Sequence, residues 1–158
     1  MPFARIDLIK GKPSDYRAKV ADIVYEGIVG VLKAPDGDRF IVVNEHAPEN
    51  LIYDRHFLDM DRSPDFILIQ VTSTVGNTKE LKFAFYRQIA DELTSKLGVR
   101  PDDIMINMVF VNKEDWSFGK GQPWQLPAPS FSRRGGSNRL PGHSGIARTQ
   151  PICPLLIF

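Results

Sequence analysis

A mixed α/β (α+β) fold is what this sequence predicts: two β-α-β units in pseudo-repeat, forming a four-stranded sheet with two helices on one face. Three observations carry that expectation. Short apolar runs rich in β-branched and aromatic residues occur at residues 3–9, 40–43, 66–72 and 104–111, the signature of buried strands. Within each pair of runs lies a segment whose apolar residues recur every three or four positions, the period of one helix face. The order strand-helix-strand at residues 3–43 then returns at residues 66–111, displaced by about 64 positions in all three elements. A helical crossover joins parallel strands and crosses right-handed, so two such units place both helices on one side of a common sheet. Nothing in residues 1–120 supplies two more helices for the opposite face, and other subunits are expected to cover it.

Each element has local reasons. Lys10-Gly11-Lys12-Pro13 breaks the first strand, and Ser14 is placed to cap the helix that follows, with Asp15 in its first turn. Val20, Val24, Ile28 and Val31 form that helix's apolar face, joined by Ala21 and Ile23. Pro35 and Gly37 end it. Residues 45–64 carry His46, Tyr53, Asp54, Arg55 and His56 without a period, and read as a loop with one short strand at Leu51–Tyr53. So irregular a stretch in a small domain is a candidate carrier of function. Gly76-Asn77-Thr78 turns the chain, and Asn77 followed by Glu80 has the spacing of a capping box. Leu81, Phe85, Ile89, Leu93 and Leu97 stripe the second helix, beside Tyr86 and Ala90. Gly98 suits its C′ position and Pro101 stops it. Asp115 to Gly121 reads as a tight turn bearing two large aromatics, Trp116 and Phe118.

Composition bounds the rest. The chain's 158 residues divide into one domain at 1–121 and a Pro/Arg-rich extension at 122–158. Hydrophobic content of 42% and charged content of 25% are those of an ordinary soluble protein. A formal charge of +1 makes no whole-protein case for nucleic acid or membrane as a partner. No apolar run approaches the roughly 18 residues of a membrane span, and the N-terminus lacks the regions of a signal peptide. A single cysteine, Cys153, leaves no internal disulfide, and a cytoplasmic setting is expected. The extension holds six of the twelve prolines, four arginines and no acidic residue, a composition that disfavours helix and sheet. Its end, Leu155-Leu156-Ile157-Phe158, is apolar enough to dock on a neighbouring surface. His46, His56 and His143 lack metal-ligand spacing, and Gly119-Lys120-Gly121 is too short for a phosphate loop, so no metal or cofactor is expected.

The residue with the most chemistry is Pro2. A small penultimate residue permits removal of Met1, and Pro2 would then begin the chain with a secondary amine whose ring fixes φ. An α-amino group titrates at a pKa of roughly 8 in reference peptides, and burial or a nearby cation lowers it. A neutral amine mounted on a strand is a candidate general base or nucleophile. The plain alternative is that proline merely tolerates a strand's first position.

Pro2 with Arg5-Ile6-Asp7-Leu8, then Asp38-Arg39-Phe40, Glu45-His46-x-Pro48, Arg62-Ser63 and Asp115-Trp116-Ser117-Phe118-Gly119-x-Gly121, resembles the tautomerase superfamily over about residues 2–121. Within it the resemblance is to the malonate semialdehyde decarboxylase-like branch of fused two-unit chains. It implies a homotrimer and a catalytic proline. It also implies that Pro2 is the base or acid, that Asp38 activates water or orients substrate, and that Trp116 and Phe118 form an apolar wall around the proline. One departure matters: the loop before the second helix, where the decarboxylases carry arginine, is Ser73-Thr74-Val75-Gly76-Asn77-Thr78 here. The Asn77 amide lacks a guanidinium's charge and fork. Arg39, beside Asp38, is then the remaining candidate clamp for a substrate carboxylate. As plain alternatives, Asp38 is a turn residue, Arg39 a surface arginine, and Trp116 and Phe118 core. The function implied is cofactor-free keto–enol isomerisation of a small 2-oxo acid. A malonate semialdehyde decarboxylase/hydratase-like activity is the alternative within the family, and a non-catalytic trimeric scaffold with a basic tail is the alternative outside it.

Overall fold

Strand pairing turns the repeat into an architecture. A computed structural model describes residues 2–124. It contains β1 (Phe3–Ile9), α1 (Ser14–Gly30), β2 (Ile41–His46), β3 (Ile67–Thr74), α2 (Lys79–Leu97) and β4 (Ile104–Val111). The first residues of corresponding elements, Phe3 and Ile67, Ser14 and Lys79, Ile41 and Ile104, stand 64, 65 and 63 positions apart. The sheet order is β2-β1-β3-β4. Strands pair in parallel within each unit, and β1 meets β3 antiparallel, which makes the four-stranded mixed sheet expected from the sequence.

Alternation along the strands sends Ala4, Ile6, Leu8, Ile67, Ile69 and Val71 toward the helices, all buried. Val20, Val24 and Ile28 of α1 and Phe85, Ile89 and Leu93 of α2 complete the core, so the helical period read in the sequence is the buried face. The helices approach closely at Gly27. A Cβ there would stand 2.7 Å from Ile89 Cδ1 and 3.0 Å from Phe85 Cε2, so glycine permits the contact.

Among the described residues no helix packs on the other sheet face. Arg5, Asp7, Asn44, His46, Gln70 and Asn107 point there by alternation and register. On it Asp7 Oδ1 accepts a hydrogen bond from Asn44 Nδ2 at 3.0 Å and lies 2.6 Å from His46 Nε2. His46 is therefore tied to the strand next to its own.

Four local expectations are corrected. Ser14 is the first residue of α1; Pro13 stands at its N-cap, and no side chain caps it. At α2 the cap is Thr78, not Asn77: its hydroxyl accepts from the Leu81 backbone N–H. β2 runs on to His46, past the expected end at Val43, because Leu8 and Ile9 continue to pair with Glu45 and His46. No strand forms at Leu51–Tyr53. That loop instead makes short 3₁₀ turns at Pro48–Asn50 and Phe57–Asp59, and Tyr53 stacks on Phe66 at 4.3 Å between ring centroids. Buried Asp103 pins the loop by accepting from Ser63 N and Ser63 Oγ at 2.5 and 2.7 Å. Gly98, as expected, closes α2 in the left-handed region at φ 67°. Among the described residues no helix is long and apolar enough to cross a membrane. Most of the 122–158 extension, with its arginines, His143, Cys153 and apolar end, lies outside the described residues.

Candidate active site

The sheet's directions decide which loops meet. β1 and β2 begin at the end of the sheet where β3 and β4 finish, because the two units pair antiparallel at their seam. A crossover helix returns the chain to the end where its first strand began, so α1 finishes there and α2 starts there. Five separate stretches converge on that end: Pro2, the α1–β2 joint, Phe40 just before β2, the loop after β3, and the turn after β4.

Pro2 is buried among them. Phe3 stands opposite Thr72, so one further step along the ladder sets Pro2 beside Ser73. A cavity of about 180 Å³ lies on one side of Pro2, walled by Ser73, Thr74, Gly76 and Asn77 of the loop and by Leu32 and Lys33 of the α1–β2 joint. A second cavity, of about 240 Å³, lies on its other side, walled by Phe3, Phe40, Trp116, Ser117 and Phe118. The first is rich in hydroxyl and amide groups and the second in aromatic rings. Trp116 and Phe118 stack at 5.3 Å, and Phe118 meets Trp124 edge-on at 5.4 Å, while Trp124 N donates to Trp116 O at 2.8 Å. The Trp116 indole N–H is buried with no acceptor among the described residues.

Of the residues singled out from the sequence, Asn77 shares a cavity with Pro2 on one side, and Trp116 and Phe118 share one with it on the other. Asp38 and Arg39 line neither. Asp38 sits in the turn before β2, its N–H donating to Pro35 O at 3.2 Å. The Arg39 guanidinium is turned onto α1, where it pairs with Asp22 Oδ1 and lies 5.0 Å from the centre of the Tyr25 ring. As placed, its charge serves a surface contact rather than the Pro2 cavities. The irregular 47–65 stretch links the finish of β2 to the start of β3, and so lies at the opposite end of the sheet from Pro2. A larger cavity there, about 310 Å³, is walled mainly by apolar and aromatic side chains such as Leu51, Phe57, Phe66, Leu68 and Met105, with Asp54 and Arg62 also in its lining.

Phe3, Phe40, Ser73 and Lys33 were not singled out as site residues. The two phenylalanines read as strand, and their orientation depends on which face of the sheet is left open. Lys33 read as part of a helix-ending joint, and nothing in its local sequence marks it. Among the described residues no three metal-ligating side chains cluster.

Two family models, both described as tautomerase enzyme, match residues 2–56 and 38–119. The probable tautomerase YusQ of Bacillus subtilis (strain 168) is 33% identical over 122 residues, which are 77% of this chain and 96% of that protein. Among solved structures, the FG41 malonate semialdehyde decarboxylase inhibited by 3-bromopropiolate aligns with a TM-score of 0.70 at 33% identity, over 76% of this chain and 91% of that one. A malonate semialdehyde decarboxylase solved in wild-type, mutant and inactivated forms aligns with the same score at 28% identity, over 76% of this chain and 92% of that one.

Proposed function

The chain belongs to the tautomerase family, and from that premise we propose that it is a cofactor-free tautomerase acting on a small 2-oxo acid through the Pro2 amine. One observation carries the reading: Pro2 is buried where a polar cavity and an aromatic cavity meet. With Met1 removed, low-dielectric surroundings disfavour the protonated amine and lower its pKa. The neutral nitrogen then takes the enol proton and returns one to the neighbouring carbon, leaving the keto acid. Asn77 and the Ser73 and Thr74 hydroxyls orient the oxygen end, while Trp116 and Phe118 exclude water from the other. The sheet face on which no described helix packs, with Val42 and Met105 exposed on it, supports a homotrimer in which neighbouring copies cover that face.

The test is a pH–rate profile across a panel of enolised 2-oxo acids and 3-oxo acids. Turnover of the 2-oxo acids is expected, with kcat/KM rising as the amine loses its proton. A base acts when deprotonated, so activity belongs above its pKa and fades below it. A panel without turnover at any pH would remove the enzymatic reading in favour of a scaffold.

A second reading, hydration and decarboxylation of a 3-oxo acid with Asp38 activating water, is favoured by the 33% identity to a malonate semialdehyde decarboxylase. Against it stands the loop without arginine. Asn77→Arg is expected to raise decarboxylation of a 3-oxo acid by about 10-fold or more, the worth of one charge-assisted hydrogen bond. An unchanged rate, measured by carbon dioxide release, would mean that position 77 does not face the substrate.

A further inference from the structure

We propose that the cavity at the opposite end of the sheet from Pro2 binds a small aromatic carboxylic acid, its ring on the apolar walls and its carboxylate on Arg62. At about 310 Å³ this cavity is larger than either one beside Pro2 and enters the range of small-molecule sites, roughly 300–1,000 Å³. Leu68 and Met105, paired across β3 and β4 on the face away from the helices, line it from the sheet. Leu51, Tyr53 and Phe57 line it from the 47–65 loop. Exposure rises from 2% at Phe66 to 46% at Met105 and 59% at Phe57, so the hollow has a floor and a rim. A neighbouring copy laid over the sheet meets that rim and leaves the depth behind it open to a ligand.

One polar handle remains in the hollow. The Tyr53 hydroxyl donates to Ser63 O at 2.7 Å, and Asp54 Oδ1 accepts from the His56 N–H at 2.8 Å, which ties that carboxylate to its own turn. Arg62 Nη1 donates to Asp54 O and Phe57 O at 3.1 and 3.2 Å. Its Nε and Nη2 have no acceptor among the described residues, and those two N–H groups form an edge that grips a carboxylate with parallel bonds. The guanidinium carbon stands 5.9 Å from the centre of the Phe66 ring, so the charge lies against an aromatic wall. A neutral aromatic would leave this fork unmatched, and an amine would meet it with like charge.

The loop is braced to keep the hollow's shape. Arg55 Nε donates to Arg62 O at 2.8 Å, Arg100 Nη2 donates to Asp61 O at 2.8 Å, and buried Asp103 holds Ser63. Leu58 and Asp59 both keep a left-handed backbone, at φ 57° and 56°. Such a conformation is unfavourable for side chains larger than glycine, persists only where the surroundings over-determine it, and collects at ligand clamps. A cavity formed in advance loses little to ordering when a ligand enters.

The probe is 2-naphthoate, titrated calorimetrically against the full chain beside its neutral counterpart 2-naphthamide. The acid is expected to bind more tightly than the amide. Arg62→Met should weaken the acid by about 10- to 100-fold, the range for a hydrogen bond to a charged group, and leave the amide unchanged. Met105→Trp, at the exposed rim, should fill the hollow and abolish binding of both. Trp116→Ala alters only the aromatic cavity beside Pro2 and should change neither. No binding by the unaltered chain, equal affinity for acid and amide, or a loss in Trp116→Ala matching that in Arg62→Met would each overturn the proposal. Arg62→Met also forfeits the bonds to Asp54 O and Phe57 O; if it does not fold, loss of both ligands in Met105→Trp alone supports the proposal and retention of both overturns it. Retention accompanied by a fall in sedimentation mass would assign the hollow to a second copy instead.

Discussion

Pro2→Ala is expected to lower kcat for 2-oxo acid tautomerisation by about 10²- to 10⁴-fold, the range contributed by a positioned acid–base group. Alanine also permits removal of Met1, so the variant keeps an α-amine at the same point of the chain. What it loses is the ring. The new amine is primary, its φ is free, and the buried apolar body between the two cavities is gone. A nitrogen no longer held at the junction spends little time aimed at the substrate, and misplacement alone is costly in catalysis. KM should change far less than kcat, because substrate binding falls to the cavity walls rather than to the base. A protein whose N-terminal mass shows Met1 retained should be inactive altogether, since its Pro2 nitrogen is an amide that cannot titrate. Unimpaired turnover in either form, followed by ultraviolet absorbance of the enol, would detach the chemistry from Pro2.

Phe85→Ala should destabilise the fold by about 3–5 kcal/mol, as for other large aromatic truncations in packed cores. Phe85 is fully buried in α2 and packs against α1 at Gly27, where the backbones come as close as glycine allows. Residual cavity volume sets the size of the loss. The helices are tied to different strands of one sheet, so α1 has little freedom to settle into the gap. Equilibrium urea unfolding at fixed protein concentration measures it; a loss below about 1 kcal/mol would mean the site collapses readily. Gly27→Leu reaches the same contact from the other side: it overpacks, with a loss typically of about 1–3 kcal/mol.

Much of this molecule was legible in its sequence, for a local reason. Periodicities of two and of three to four report which side of a segment is apolar, and both helices bury the stripes so read, through Val20, Val24 and Ile28 and through Phe85, Ile89 and Leu93. The repeat displaced by about 64 positions turned those segments into two equal units, with Pro2 at the head of the first. Tertiary structure decided which loops share an end of the sheet. That depends on the antiparallel seam between β1 and β3, whose partners are separated by some sixty residues of chain and carry no local mark of direction. The seam brings Ser73 and Asn77 to Pro2 on one side and the Trp116 turn on the other, and sends the 47–65 loop to the far end. Arg39 likewise looked free until α1 placed Asp22 and Tyr25 beneath it, and Lys33 looked like punctuation until the end of α1 came to rest beside Pro2. Side chains follow their own backbone's period, whereas a site is made by backbones that meet only after the strands have paired.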